Sequence, residues 1–280
     1  MDYLKRIEKR LSGLEVGVPG ELGDKRILPA FAKSIGVKTS NIFYVGEFAG
    51  LDFDKLPDAF VIKPSYASTS VGVFLLRKES EDSFYDLVAD KSITKEFLED
   101  QYSELSEKYY KDPSVGMVQV EELLTSPDGS FPPPDIRAYM FQGECGVIIV
   151  EDHIAGPARA TYFNGDFSKM LDVAHRYSVA KGAEQLESIV DREPPSNADV
   201  ILNVVKRISV AIPSAFCRVD VYNTQKGVIL GEVTFYPGTF YYKNRKVMSQ
   251  PEAERLGKLW AQAEARLVGS VLKPARKSGN

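Results

Sequence analysis

Two alternating runs, Phe216–Tyr222 and Val228–Phe235, constrain this chain most. Apolar side chains recur at every second position on both sides of a turn containing Asn223 and Gly227. That period specifies strands with one buried face, and the turn predicts an antiparallel hairpin. If the loop holds three or five residues, the parity of pairing sets Asp220 and Glu232 on one face, with Arg218 and Thr234 beside them. Two facing carboxylates repel each other and call for a cation. With oxygen ligands only and no histidine nearby, magnesium, or manganese in its place, is the natural ion. The same residues also describe an exposed face on which Arg218 pairs with Asp220 and nothing more; the hairpin alone leaves both readings open.

A second strand–loop–strand runs from Phe60 to Leu76. Its first run ends in Lys63, a cation pointing out of an apolar strand, and Pro64 predicts that ladder pairing stops there. Ser65, Ser68, Thr69, Ser70, Val71 and Gly72 follow, a hydroxyl-rich loop whose backbone N–H groups can turn toward an anion. A phosphate grip and the polar turn of an ordinary hairpin fit this stretch equally.

Composition narrows the class. A 280-residue chain with 44% hydrophobic and 26% charged residues buries a substantial core, in one large domain or two modest ones. A net charge of -4 argues against nucleic-acid or anionic-membrane partners. Cys145 and Cys217 are too few for a disulfide framework or a cysteine zinc site, which fits a reducing interior. Met1–Val16 is charged and amphipathic instead of signal-like, and no apolar run approaches the roughly 20 residues of a membrane span, so a cytoplasmic location is expected.

In chain order, Leu4, Ile7, Leu11 and Leu14 predict a helix ended by Gly17 and Pro19. Asp24 is expected to cap a second helix with Ile27, Leu28, Phe31 and Ile35 on its inner face, Lys25 in its first turn and Gly36 at its end. A short strand is expected over Ile42–Val45. Phe84, Leu87 and Val88, then Ile93 through Tyr109, predict one or two helices between 79 and 111. Met117–Val120 reads as a strand running into Glu121–Leu124, and the Pro-rich turn from Ser126 to Pro134 as a subdomain boundary. Asp135–Phe141 and Cys145–Val150 read as paired strands around Gln142 and Gly143, and the segment 155–161 as a loop carrying Arg159. Helices are expected from Ser196 and from Ser249, the latter with Glu252 completing a capping box. Gly238 follows the carboxylate hairpin, where backbone N–H groups can face an oxyanion. His153 and His175 have no partner at metal or triad spacing.

Read together, these residues resemble the ATP-grasp superfamily and, within it, the TupA-like proteins of teichuronopeptide synthesis. The resemblance runs from Asp24 to Gly238. It implies an α/β (α+β) fold of two subdomains whose antiparallel sheets grip ATP between them. Lys25 and Lys63 are similar to the nucleotide lysines, and the loop of Ser65, Ser68, Thr69, Ser70 and Val71 to a lid that stays poorly ordered until nucleotide arrives. Glu121, Glu122 and Leu124 resemble the segment that meets adenine, and Asp135 the acidic residue that holds ribose. Asp220, Glu232 and Thr234 resemble the ligands of one or two magnesium ions, and Arg218 a phosphate-facing arginine. Arg137 and Arg159 are candidates for holding the substrate carboxylate or the transferring phosphoryl group.

The activity this implies is formation of an amide or peptide-type bond. ATP phosphorylates a carboxylate on an amino acid, a peptide or a glycan, and an amine attacks the acyl phosphate. A kinase acting on a hydroxyl, or a non-catalytic nucleotide-binding partner subunit, is the alternative, and a homodimer or a partner protein is left open. Most relatives have asparagine where Thr234 stands, which implies a weaker or water-mediated ligand. Many relatives also carry a substrate-binding domain before the first lysine; with 24 residues there, the substrate pocket is expected to be built otherwise. The implied division is an N-terminal helix and linker over 1–23, a first part with the lid over 24–125, a second part with the metal hairpin over 126–270, and a flexible tail over 271–280.

Overall fold

Period-two alternation is realised as two main sheets. The computed structural model describes residues 1–66, 71–152 and 156–271. In chain order the strands are β1 (Lys38–Thr39), β2 (Ile42–Glu47), β3 (Ala59–Pro64), β4 (Phe74–Lys78), β5 (Ser83–Asp86), β6 (Lys91–Thr94), β7 (Met117–Glu122), β8 (Asp135–Phe141), β9 (Glu144–Asp152), β10 (Ala158–Asn164), β11 (Tyr177–Val179), β12 (Glu187–Ile189), β13 (Cys217–Thr224), β14 (Gly227–Thr234) and β15 (Lys246–Met248). The helices are α1 (Tyr3–Leu11), α2 (Leu28–Ser34), α3 (Lys95–Tyr110), α4 (Val173–Arg176), α5 (Ala198–Ala211) and α6 (Gln250–Val271). The fold is α+β. No helix among the described residues is long and apolar enough to cross a membrane.

The chain divides into two units, one of residues 40–125 and 129–132, the other of residues 1–39, 126–128 and 133–280. The Pro-rich turn after Leu124 lies at this division. Residues 24–39, expected with the first part, cluster with the second, because β1 pairs parallel with β14.

The smaller unit is a six-stranded antiparallel sheet in the order β2-β7-β3-β4-β5-β6, its apolar face covered by α3. Phe60, Ile62, Val118 and Val120 alternate inward against Phe53, Phe84, Leu98 and Tyr102, all buried. Phe84, expected on a helix, lies in the β5–β6 hairpin. Asp86 Oδ1 accepts from the backbone N–H groups of Val88 and Ala89 at 2.9 and 3.1 Å, and Asp90 takes a left-handed φ of 54°. That turn chemistry overrides the helical spacing. The predicted helix survives from Lys95, capped by Thr94.

The larger unit holds a seven-stranded sheet in the order β1-β14-β13-β8-β9-β10-β12 and a small β11–β15 pair. One sheet face packs Ile136, Ala138, Met140, Val219 and Val221 against α2 and α5. The opposite face carries Tyr139, Phe141, Val147, Ile149 and Phe216 beneath α1 and α6, around Trp260. Several local expectations are corrected. Helix α1 ends at Leu11, and the residues it buries are Tyr3, Ile7 and Arg10, with Leu14 exposed beyond it. Asp24 does not cap α2; its side chain accepts from the Arg26 backbone and pairs with the Arg26 guanidinium at 2.6 Å, which leaves Lys25 in the turn ahead of the helix. Arg159 lies on β10, exposed between the buried Ala158 and Ala160. Glu252 forms no capping box: it is buried and accepts from the Tyr177 hydroxyl at 2.6 Å and from Arg255 at 2.7 Å.

The hairpin assignment of Phe84 predicts that Phe84→Ala destabilises the protein by about 3–5 kcal/mol. Val88→Ala, on the same face in a helical arrangement, is expected to lose less than half as much; urea titrations of both variants check this.

Candidate functional site

The β13–β14 hairpin is closed by a two-residue loop, Gln225 and Lys226, between the paired Thr224 and Gly227. With that loop length, unbroken pairing would set Asp220 against Gly231 and turn Glu232 to the other face. The register shifts instead between Asp220 and Val221: Val221 pairs with Leu230, Asp220 with Glu232 and Arg218 with Thr234. Gly231 is the extra residue. A β-carbon there would lie 2.7 Å from the Tyr222 ring, so the bulge requires glycine at this close approach. The four-residue face therefore forms through a bulge, with a loop length that would not give it in an unbroken ladder.

Within it Arg218 grips Asp220 with two bonds, Nε to Oδ1 at 2.7 Å and Nη2 to Oδ2 at 2.6 Å. Its guanidinium also donates to the hydroxyls of Thr234 and Thr239 at 3.3 and 3.4 Å and stands 3.7 Å from Glu232. Thr234 donates to Glu232, whose side chain is 46% exposed. Burial pushes the Asp220 carboxyl above its usual range, opposed by Arg218 and Arg137. Burial alone would lower the Arg218 pKa; Asp220 outweighs it and raises the value.

The neighbouring strands extend this polar face. Arg137 on β8 donates to Asp135 at 2.9 Å and to Glu151 on β9 at 2.6 Å, and lies 4.0 Å from Asp220. Lys246 on β15 continues the chain, 3.3 Å from Glu151 and 2.5 Å from Glu187. Sequence reading missed Glu151, Glu187 and Lys246. Only Glu151 left a signal there, a carboxylate ending the apolar run of β9 at the position that pairs with Asp135.

The acidic side chains of this network are Asp135, Glu151, Glu187, Asp220 and Glu232, and its cationic partners among the described residues include Arg137, Arg218 and Lys246. No three histidine, cysteine or carboxylate side chains among the described residues converge as a complete metal site. Asp220 and Glu232 supply two. Magnesium commonly takes one or two carboxylates and fills its other positions with water and phosphate, so this set of hard oxygens fits it.

Other candidates are placed differently. Arg159 is 62% exposed and 3.4 Å from Asp152, which also binds Arg192; it does not join the Arg137–Arg218 cluster. Gly238 accepts, through its carbonyl, from the Tyr242 N–H at 3.0 Å, and a β-carbon on it would lie 2.2 Å from the Tyr242 ring. Close packing of Tyr242 accounts for that glycine.

In the smaller unit Lys63 on β3 donates to Glu121 on β7, and Glu121 also accepts from Gln119 at 2.9 Å. Glu122 accepts from the Asn41 side chain at 2.8 Å, Val71 is exposed and Leu124 is half-buried. Pairing does not stop at Pro64: with β4 it ends earlier, at Ile62, and with β7 it runs through Pro64 and Val118, after which the Ser65 N–H donates to the Met117 carbonyl at 2.9 Å. Gly72 is tied to α3, its carbonyl accepting from the Tyr102 hydroxyl at 2.9 Å. Ser68, Thr69, Ser70 and His153 lie outside the described residues, as does the tail beyond 271. His175 is exposed on α4.

A family model described as TupA-like ATPgrasp matches residues 18–254. Similar solved structures include the D-alanine–D-alanine ligase of Bacillus anthracis complexed with ATP, at 15% identity and TM-score 0.47, covering 89% of this chain and 67% of that one. The D-alanine–D-alanine ligase of Helicobacter pylori shares 14% identity at TM-score 0.41, covering 90% and 59%. The ATP-grasp ligase PsnB, complexed with a phosphomimetic variant of its minimal precursor, Mg and ADP, shares 12% identity at TM-score 0.44, covering 87% and 60%. No protein of curated function matches the sequence significantly.

The bulge makes a direct prediction. Gly231→Ala should cost about 1–3 kcal/mol through the clash with Tyr222, and pairing it with Tyr222→Ala should recover part of that loss in a double-mutant cycle read by denaturant unfolding.

Proposed function

We propose that this chain, which belongs to the TupA-like ATP-grasp family, is an ATP-dependent ligase that joins a carboxylate to an amine through an acyl phosphate. The observation that carries this reading is the pairing of Asp220 with Glu232 on one face, with Arg218 and Thr234 completing the set. Phosphoryl transfer asks for positioning and charge neutralisation more than for a protein nucleophile, and that set supplies both. Asp220 and Glu232 would hold magnesium, which when bound neutralises phosphate charge. Arg218 presents a guanidinium, fixed by its two bonds to Asp220, toward the transferring phosphoryl group. Lys63 is the phosphate cation of the smaller unit, and Glu121, Glu122 and Leu124 are its adenine-facing residues, with Asp135 for the ribose. Arg137 is placed to orient Asp135 and Asp220, and Lys25 is a second nucleotide cation. The carboxylate belongs to an amino acid, a peptide or a glycan.

Incubation with ATP, magnesium, hydroxylamine and candidate carboxylates is expected to yield a hydroxamate and ADP by mass spectrometry. A stable phosphorylated product would instead favour a kinase, and nucleotide binding without ADP release across the panel would favour a partner subunit. Glu232→Gln should lower kcat by roughly a hundredfold or more at an unchanged melting temperature, since the side chain is half exposed. Lys63→Ala should weaken binding of a non-hydrolysable ATP analogue by roughly tenfold, read by calorimetry. Wild-type behaviour in either variant removes that residue from the site.

A further inference from the structure

Helix α1 lies ahead of the residues that the family model matches, yet it sends a charged side chain into the larger unit. Arg10 is 1% exposed. Its Nη1 donates to the carbonyl of Phe216 at 3.0 Å and to that of Phe235 at 2.9 Å. Nε and Nη2 donate to the two oxygens of Glu15 at 2.8 and 2.7 Å, and the guanidinium stands 4.5 Å from the centre of the Trp260 ring. Phe216 also accepts from the Ser214 hydroxyl at 2.8 Å.

The location of the two carbonyls gives this arrangement its meaning. Arg218 and Thr234 form the outermost pair of the β13–β14 ladder, and Phe216 and Phe235 stand just beyond it on the two strands. Beyond that pair the ladder supplies no further cross-strand register, and Arg10 bridges the strands in its place. Both hydrogens of one nitrogen are spent on two different strands, which a planar guanidinium can do in a fixed geometry and an ammonium cannot match. An apolar residue of similar volume would serve packing against Trp260 without the cost of desolvating a charge, but it would leave the Phe235 carbonyl without this donor.

We propose that Arg10 is a positioning residue for the reactive end of the hairpin: by clamping Phe216 to Phe235 it fixes the spacing of Arg218 and Thr234 and, through them, the set of Asp220 and Glu232. The inference rests on the reading that this end of the hairpin serves phosphoryl transfer. Arg10 itself touches neither nucleotide nor substrate, so its removal acts on the rate and not on nucleotide affinity.

Arg10→Met and Arg10→Lys, each in the full chain, test it by two independent measurements. In amide hydrogen exchange, Arg10→Met should speed exchange at residues 217–220 and 232–235 by roughly tenfold, with residues 222–229 at the turn end within about twofold of wild type. In ADP release, kcat should fall by roughly tenfold while KM for ATP stays within about threefold, and Arg10→Lys should recover part of both effects. Unchanged exchange at the outer end, or a rise spread evenly over the sheet, overturns the proposal. If the wild-type protein releases no ADP, the ligase reading fails and the exchange measurement still decides the clamp. If Arg10→Met does not fold, Glu15→Gln, which loosens the guanidinium without removing it, should show the same local exchange pattern, and its absence there also overturns the clamp.

Discussion

One residue inserted into β14 decides which face of the sheet Glu232 serves. In an unbroken ladder the two-residue loop would seat Glu232 opposite Val219, whose side chain is buried toward α2 and α5. A carboxylate there would be desolvated among Ile136, Ala138 and Val221 with no cation to compensate it, a cost of several kcal/mol. The bulge at Gly231 turns it through half a strand period onto the face of Asp220, Arg218 and Thr234. A backbone irregularity thus sets the chemistry of the site, and Tyr222 packed over Gly231 restricts that position to glycine.

The same alternation makes one face of the larger sheet apolar at one end and charged at the other. Tyr139, Phe141, Val147 and Ile149 lie under α1 and α6, whereas Asp135, Arg137, Glu151 and Asp220 occupy the opposite ends of β8, β9 and β13. Buried ion clusters of this kind seldom stabilise a fold beyond what apolar residues of equal volume would do. Arg137 is held by Asp135 and Glu151 with Asp220 nearby, and Lys246 by Glu151 and Glu187. Under the proposed reading the cluster orients Asp135 and Asp220 for a ligand more than it fastens the sheet.

Strands bounded by clear turns were legible from the residues alone. β8, β9, β13 and β14 follow from period-two alternation around Gln142–Gly143 and Asn223–Gly227, and with them Arg218, Asp220, Glu232 and Thr234 as one group. Their common face was inferred through loop length, while the molecule reaches it through a bulge, which parity counting does not reveal. Phe84, Leu87 and Val88 have helical spacing, and only the Asp86 side-chain bonds show why a hairpin wins. Nothing in the sequence singles out Arg10 and Lys246, because their burial depends on carbonyls and carboxylates distant in sequence. Long-range polar contacts carry no local periodicity, so they stay hidden until the strands are paired.

Lys63 shows how a regular strand sets one charge beside another. Its register opposite Gln119, two pairs from Val61 and Glu121, sets the ammonium beside the Glu121 carboxylate without any irregular backbone. Both side chains are part-buried, with exposures of 22% and 16%. Under the proposed reading, capture of a phosphate by Lys63 exchanges one anion for another and leaves the cation partnered. Glu121, once released, regains an acceptor oxygen beside the donor of Gln119. Under the same reading the pair would serve both parts of a nucleotide, Lys63 the phosphates and Glu121 the base.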